Sequence, residues 1–137
     1  MQDAPALLDR LADAVEHALE DTPLDRYGDH GGMGASGSPA KHIDRMAEQA
    51  VLDRIEAEDA PVNLVSEEVG RVDRGHEYTL ILDPVDGTTN CVRQIPFYCT
   101  SLAITAGRLR DVEHALVADL TTGERYRASL GQGATLD

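Results

Sequence analysis

The chain has 137 residues, of which 25 are acidic and 12 are lysine or arginine, so its formal net charge is −13. This length suits a single domain over residues 1–137, and 42% hydrophobic residues argue against a wholly disordered chain. A surface this negative repels phosphate backbones, so we expect no nucleic-acid partner. No apolar run is long enough to span a membrane and no secretory signal pattern is present, so we expect no membrane partner and a cytoplasmic location.

The basic residues are almost all arginine, because Lys41 is the only lysine. An acid-rich, lysine-poor composition resembles that of proteins from salt-loving archaea, in which high salt screens the self-repulsion. The alternative is an ordinary acidic protein from a GC-rich genome, since such genomes favour arginine over lysine. The two cysteines, Cys91 and Cys99, indicate neither a disulfide framework nor a zinc site.

The first predicted element is an amphipathic helix that ends before Pro23. Its apolar residues recur at helical spacing: Leu7, Leu8, Leu11, Val15, Ala18 and Leu19. Residues 28–38 follow, with five glycines, and predict a flexible loop without a fixed element. This loop is either a mobile flap over a site or a linker, and its composition alone favours the linker.

A second helix is predicted to begin at Ser38 as the N-cap and Pro39 as the first helical residue, and to end before Pro61. Asp44 is assigned to its solvated side. The apolar stripe of this helix comprises Ile43, Met46, Ala47, Ala50, Val51 and Ile55.

The rest of the chain predicts strands. They cover residues 62–65, 78–82, 98–106, 112–118 and 125–129. A short turn centred on Gly107 makes the third and fourth of these an antiparallel pair. The order of elements predicts an α+β fold, in which two N-terminal helices pack on one face of a mostly antiparallel sheet.

Acidic residues follow two of these strands. Glu67 and Glu68 come after the first strand, and Asp83 and Asp86 come after the second. If the strands are neighbours, the acids converge at one edge of the sheet, where their mutual repulsion favours a hard divalent cation such as Mg²⁺. No histidine lies in the cluster, which argues against zinc. Each acid taken alone is more simply a solvated strand end.

The octet from Asp83 to Asn90 combines several features that such a site needs. Gly87 permits a tight turn and a close approach by a ligand, and Thr88 and Thr89 can open a short helix whose free amides bind an anion. Asp-Pro and Asp-Gly pairs are also common in ordinary turns. The whole octet after an apolar strand nevertheless indicates a metal-assisted phosphomonoesterase.

The octet resembles the signature of the inositol monophosphatase and fructose-1,6-bisphosphatase superfamily. Residues 66–68 resemble that family's upstream Glu-Glu metal motif, residues 95–97 and 131–134 continue the match, and residues 34–44 resemble the archaeal members in particular. The resemblance extends from about residue 32 to residue 137. It implies the N-terminal half of the sugar-phosphatase αβαβα fold.

The resemblance also implies the metal ligands. Glu67, Asp83 and the carbonyl of Val85 would hold one Mg²⁺, and Asp83 would bridge to a second ion that Asp86 also binds. Glu67 would contact a third, more weakly held ion, so two or three Mg²⁺ ions are expected. Thr88, paired with Asp44, would orient and help deprotonate the attacking water.

The phosphate of the substrate would lie on the amides of Gly87 and Thr88, and the catalytic residues would be Asp44, Glu67 and Thr88. The expected reaction is Mg²⁺-dependent hydrolysis of a small sugar or inositol phosphate, namely inositol 1-phosphate, fructose 1,6-bisphosphate or both. Because relatives are commonly dimers, a homodimer is one expectation. The family's second half carries a Trp-Asp motif that completes the second metal site, and this chain has no tryptophan. The alternative is therefore a catalytically incomplete metal- and phosphate-binding fragment, or a subunit that needs a partner chain.

Overall fold

Two helices, α1 (Ala4–Asp21) and α2 (His42–Ala57), pack side by side on one face of a seven-stranded sheet in the computed structural model, which describes Met1 and residues 3–137. The α+β architecture with both helices on one face is as predicted. None of the described helices is long and apolar enough to cross a membrane.

The glycine-rich segment between the two helices forms a hairpin. Strands β1 (His30–Met33) and β2 (Pro39–Lys41) pair antiparallel, so the prediction of a stretch without regular structure over residues 28–38 was wrong for these positions. The predicted helix start at Ser38 and Pro39 was also wrong, since Pro39 lies in β2 and α2 begins at His42. The side chain of Asp44, and not that of Ser38, caps the helix, because Asp44 Oδ2 accepts a hydrogen bond from the Lys41 amide at 2.8 Å.

The main sheet has the strand order β4-β3-β5-β6-β7-β8-β9. Strands β3 and β5 run parallel, and every other neighbouring pair is antiparallel. A short helix, α3 (Thr88–Val92), follows β5. The strands are β3 (Val62–Ser66), β4 (Gly70–Val72), β5 (Tyr78–Asp86), β6 (Cys99–Thr105), β7 (Val112–Asp119), β8 (Arg125–Ser129) and β9 (Gly133–Leu136). Strands β4 and β9 were not predicted, and β5 continues four residues beyond the predicted last residue, Leu82.

The core lies between the helices and the sheet. The strand side chains beneath the helices are at most 3% exposed: Leu80, Leu82, Leu102, Ile104 and Leu116. The register places Leu82, Leu102 and Leu116 side by side on three adjacent strands. In α2 the predicted stripe was partly wrong, since Met46 is 36% exposed while Asp44 and Glu48 are each only 3% exposed.

Ion pairs join α1 to β8, the strand next to the β9 edge of the sheet. The guanidinium of Arg125 contacts Asp9 at 3.0 Å, Asp13 at 2.5 Å and Glu16 at 3.0 Å, and Arg127 contacts Asp9 at 2.7 Å. One partly buried guanidinium thus contacts three carboxylates of the same helix face. This network offsets part of the self-repulsion that the net charge of −13 creates.

We predict that Leu102→Ala lowers the free energy of unfolding by about 2–5 kcal/mol, because it leaves a cavity that the surrounding residues cannot fully close. Leu102 is 1% exposed at the centre of the sheet. The measurement is urea denaturation, with Leu24→Ala as the matched control, since Leu24 is 60% exposed and should change stability by less than about 0.5 kcal/mol. Equal losses of unfolding free energy in the two variants would contradict the placement of Leu102 in the core.

Candidate active site

Parallel pairing of β3 with β5 brings the predicted acids together. Ser66 lies opposite Leu82, so Glu67 and Asp83 leave the same end of two adjacent strands. They line an open cleft of about 390 Å³. Its lining residues are Glu67, Asp83, Val85, Asp86, Gly87, Thr88, Thr89 and Asn90. Every predicted site residue except Asp44 and Glu68 is therefore a lining residue of one cleft.

Asp83 is the carboxylate in the least favourable electrostatic position. Its Oδ1 atom is buried and has no hydrogen-bond partner among the described residues. Burial raises the pKa of Asp83 to about 7, and the negative charges of Glu67 and Asp86 add to the effect. A cation in the cleft would relieve both causes at once.

The Glu67–Glu68 segment also anchors the hairpin. The turn of the hairpin donates two amides to it, from Ala35 to the Glu68 carbonyl at 2.8 Å and from Ser36 to the Glu67 carbonyl at 3.2 Å. The Glu68 Oε2 atom is buried without a partner among the described residues, and burial, followed by the charge of Asp44, raises the pKa of Glu68 to about 7. Glu68 thus lies behind the cleft, beneath the hairpin.

A hydrogen bond connects α2 with the short helix α3. The Thr88 hydroxyl lies 2.8 Å from Asp44 Oδ1 and 2.9 Å from the Val85 carbonyl, so it can donate to either. Asp44 is buried at 3% exposure, and its other oxygen caps α2. The assignment of Asp44 to a solvated helix face was wrong, because its side chain points to the start of α3.

The turn into α3 depends on Gly87. Its φ is +88°, in the left-handed region, and an added Cβ would lie 3.1 Å from the Phe97 carbonyl oxygen. The first backbone bond of the helix runs from the Cys91 amide to the Gly87 carbonyl at 3.0 Å. The amides of residues 88–90 precede it and have no partner within the helix, which leaves them free for an anion.

We predict that Gly87→Ala destabilises the protein by about 1–3 kcal/mol, since a side chain at this φ is strained and crowds Phe97. The measurement is thermal unfolding, with Gly107→Ala as the control, because Gly107 has no left-handed φ and its nearest neighbour is the far end of the Asp111 side chain at 3.1 Å. A Gly87→Ala variant as stable as the native chain would contradict the described turn.

Glu48 is a buried acid that the sequence analysis missed. Its Oε1 accepts hydrogen bonds from the Ser66 hydroxyl and, at 3.1 Å, from the Val69 amide, and Arg45 lies 3.7 Å from its Oε2. These bonds fix the end of β3, where Glu67 begins. The signal was present, because Asp44 and Glu48 are four residues apart on the helix face that Val51 and Ile55 continue.

The oxygen atoms of the cleft fit a hard divalent cation. Within the described part of the chain, no three histidine, cysteine, aspartate or glutamate side chains converge closely enough to form a metal site by themselves. The predicted ligand sets have one or two carboxylates per ion, and Mg²⁺ commonly binds through one or two carboxylates and keeps several waters. The observation that fits such an ion is the buried Oδ1 of Asp83, which lies among the other acids and has no hydrogen-bond partner in the part of the chain that the structure describes.

Comparison with known proteins places this geometry in context. Residues 5–137 match the profile of the inositol monophosphatase family. A fructose-1,6-bisphosphatase/inositol-1-monophosphatase from Methanothermobacter thermautotrophicus is 37% identical, over 93% of this chain and 50% of that protein. A bifunctional NADP phosphatase/NAD kinase from Methanococcus maripaludis is also 37% identical, over 74% of this chain and 21% of that protein.

Solved structures show the same fold. The MJ0109 gene product, an inositol monophosphatase–fructose 1,6-bisphosphatase, superposes with a TM-score of 0.81 and 27% identity, over 96% of this chain and 51% of its own. An IMPase from Thermotoga maritima superposes with a TM-score of 0.75 and 27% identity, over 98% and 51%. The chain spans about half the length of the Methanothermobacter relative and of both structures.

Proposed function

Because the chain belongs to the inositol monophosphatase family, we propose that its carboxylate cleft binds Mg²⁺ and hydrolyses a small phosphate monoester. The observation that carries the proposal is that a site for a cation and a site for proton transfer lie at the same cleft. The Asp83 carboxylate, one oxygen of which is buried without a partner among the described residues, lines the same cleft as Thr88, and the Thr88 hydroxyl is hydrogen-bonded to Asp44. A cation site and a proton acceptor side by side are what hydrolysis of a phosphate ester requires.

The metal ligands that we propose are Glu67, Asp83, the carbonyl of Val85 and Asp86. The first three would hold one ion, Asp83 and Asp86 a second, and Glu67 would contact a third, giving two or three ions. When bound, Mg²⁺ supplies positive charge that draws in the substrate phosphate and makes a nearby water more acidic. The raised pKa of Asp83 supports this assignment, since a cation stabilises the ionised form that burial disfavours.

Thr88 and Asp44 would manage the proton of the attacking water. The Thr88 hydroxyl donates to Asp44 and can accept from a water in the cleft, so the water proton passes through Thr88 towards Asp44. The water oxygen forms a bond to phosphorus, the ester P–O bond breaks, and the alcohol leaves with a proton from solvent. The amides of Gly87 and Thr88 would hold the phosphate in line for this attack.

The substrates that we propose are inositol 1-phosphate and fructose 1,6-bisphosphate, which the names of the relatives suggest. The test is release of inorganic phosphate from each ester as Mg²⁺ is titrated, with an arm in EDTA. Glu67→Gln is expected to lose the Mg²⁺-dependent release, whereas Asp25→Asn, an exposed acid far along the chain from the cleft residues, is expected to keep it.

A second candidate is binding of metal and phosphate without turnover, and the half-length match to the relatives favours it. Mg²⁺ binding without phosphate release from either ester would support this candidate over hydrolysis. Absence of Mg²⁺ binding would contradict both.

A further inference from the structure

Glu67 lies in the short turn between β3 and β4, residues 67–69, which we call the Glu67 turn. β3 ends at Ser66 and β4 begins at Gly70, so the strand ladder does not hold this acid directly. Side chains in turns keep a fixed position only where other groups hold the backbone, and a metal ligand must be held to within about 0.5 Å. The contacts of the Glu67 turn therefore decide where the Glu67 carboxylate lies.

Glu48 of α2 holds the Glu67 turn on both sides of its glutamates. The Oε1 atom of Glu48 accepts hydrogen bonds from the Ser66 hydroxyl and, at 3.1 Å, from the Val69 amide. Glu48 is only 3% exposed, so both bonds are shielded from competing water. One carboxylate oxygen thus attaches the turn to α2.

The hairpin of β1 and β2 holds the Glu67 turn through its backbone. The amides of Ala35 and Ser36 donate to the two glutamate carbonyls of the turn, at 2.8 and 3.2 Å. The two segments are in close contact, because a Cβ added at Gly34 would lie 3.4 Å from the Glu67 carbonyl oxygen and 2.7 Å from Glu68 Oε2. A shift of the hairpin would therefore move the backbone of Glu67.

Arg45 connects these two attachments. Its Nε donates to the Gly31 carbonyl at 2.8 Å and its Nη2 donates to the Met33 carbonyl at 2.7 Å, so one guanidinium binds β1 at two points. Its Nη1 lies 3.7 Å from Oε2 of Glu48, whose other oxygen holds the turn. Because a guanidinium is planar and its donors point in fixed directions, these contacts fix the hairpin relative to α2.

We propose that Arg45 is a positioning residue, which sets where Glu67 lies by fastening the hairpin and Glu48 to each other. The fastening follows from the contacts described above, and only its effect on Mg²⁺ binding rests on the proposed function. Arg45 is not among the residues that line the carboxylate cleft, so it acts through the Glu67 turn.

This role predicts the sign of a change in Mg²⁺ affinity. By electrostatics alone, removal of a positive charge near a cation site strengthens cation binding, because it removes repulsion. Loss of positioning weakens cation binding instead, because a ligand is no longer held in place. The direction of the change at Arg45 therefore separates the two roles.

The experiment compares Arg45→Met with Arg54→Met, which removes the same charge from the same helix. Arg54 is the matched control, since its side chain is 45% exposed and its guanidinium lies 3.6 Å from Glu58. Hydrogen exchange of the Ala35 and Ser36 amides is followed by NMR in EDTA, and Mg²⁺ affinity is measured by calorimetric titration. Arg45→Lys is a third variant, which keeps the charge on a single ammonium that cannot form the guanidinium fork.

We expect Arg45→Met to speed exchange of both hairpin amides by at least ~10-fold, while the amides at the centre of β5 and β6 keep their native rates. Its Mg²⁺ binding should be ~10-fold weaker than that of the native chain. Arg54→Met should match the native chain in both measurements, and Arg45→Lys should fall between the native chain and Arg45→Met.

Native exchange rates at Ala35 and Ser36 in Arg45→Met would overturn the proposal, as would faster exchange throughout β5 and β6, which indicates a general loss of stability. An Mg²⁺ affinity that is unchanged or higher in Arg45→Met would also overturn it, as would an Arg45→Lys variant that equals the native chain in both measurements. Exchange in EDTA needs neither metal nor substrate. Absence of Mg²⁺ binding by the native chain would therefore contradict the proposed function, and the exchange rates alone would then decide whether Arg45 fastens the hairpin.

Discussion

Asp83→Asn is expected to abolish Mg²⁺-dependent phosphate release and at the same time to stabilise the metal-free protein. Both effects have one cause, since Asp83 is held among like charges and its buried oxygen has no partner within residues 3–137 or Met1. The amide cannot bind the cation as the carboxylate does, but it also removes the repulsion and the cost of burying a charge. The expected gain is about 1–2 kcal/mol, after the shift in pKa is discounted for solvent screening.

The raised pKa of Asp83 predicts how the stability gained by Asp83→Asn changes with pH. Burial holds the pKa of Asp83 at about 7 in the native state, above its ordinary value of 3.8. Between these two values the native state binds more protons than the unfolded state, so the stability contributed at low pH is lost as the pH rises through this window. In EDTA, thermal unfolding should therefore show a larger advantage of Asp83→Asn at pH 8 than at pH 5. An advantage that is equal at both pH values, or larger at pH 5, would contradict the described environment of Asp83.

Thr88→Ala is expected to lower kcat by about 10²–10⁴ while Mg²⁺ binding stays close to that of the native chain. The hydroxyl that donates to Asp44 is lost, while the carboxylate ligands and the backbone carbonyl of Val85, 2.9 Å from that hydroxyl, all stay in the chain. The measurement is phosphate release at saturating Mg²⁺, alongside a Mg²⁺ titration of each variant.

Thr88→Ser is the matched control, because it keeps a hydroxyl at the same position and should retain most of the activity. Activity lost equally in the serine and alanine variants would show that Thr88 acts through the packing of α3 and not through its hydroxyl. Loss of Mg²⁺ binding in Thr88→Ala would contradict the assignment of proton transfer and metal binding to different residues.

The cleft could be predicted because its residues follow strands along the chain. Glu67 and Asp83 come directly after apolar runs, and the parallel pairing of β3 with β5 places them at one end of the sheet. Local chemistry also predicted the turn at Gly87 and the short helix that begins at Thr88, and the structure contains both. Their catalytic and metal-binding roles remain predictions.

The hairpin and the buried face of α2 could not be predicted in the same way. The glycines of this segment predicted flexibility, but an added Cβ at Gly31 would lie 2.4 Å from the Lys41 carbonyl oxygen, so this glycine permits two strands to approach. Asp44 was assigned to the solvated side and Glu48 was missed, because hydrophobicity alone defined the stripe. Their spacing places both acids on the buried face, but it does not identify their partners, Thr88 and Ser66, which lie 44 and 18 residues away along the chain.

Calorimetric titration of Mg²⁺ at pH 8 tests the metal site most directly, with the native chain, Asp83→Asn and Asp25→Asn measured side by side. We expect the native chain and Asp25→Asn to bind Mg²⁺ with the same affinity and Asp83→Asn to bind it at least ~10-fold more weakly. Loss of a metal ligand should weaken binding at least as much as loss of a residue that only hydrogen-bonds to a ligand. Native binding should also weaken from pH 8 to pH 6, because protons compete for Asp83, whose pKa is about 7. Equal affinity in all three proteins, or no binding by the native chain, would contradict a metal site at this end of the sheet.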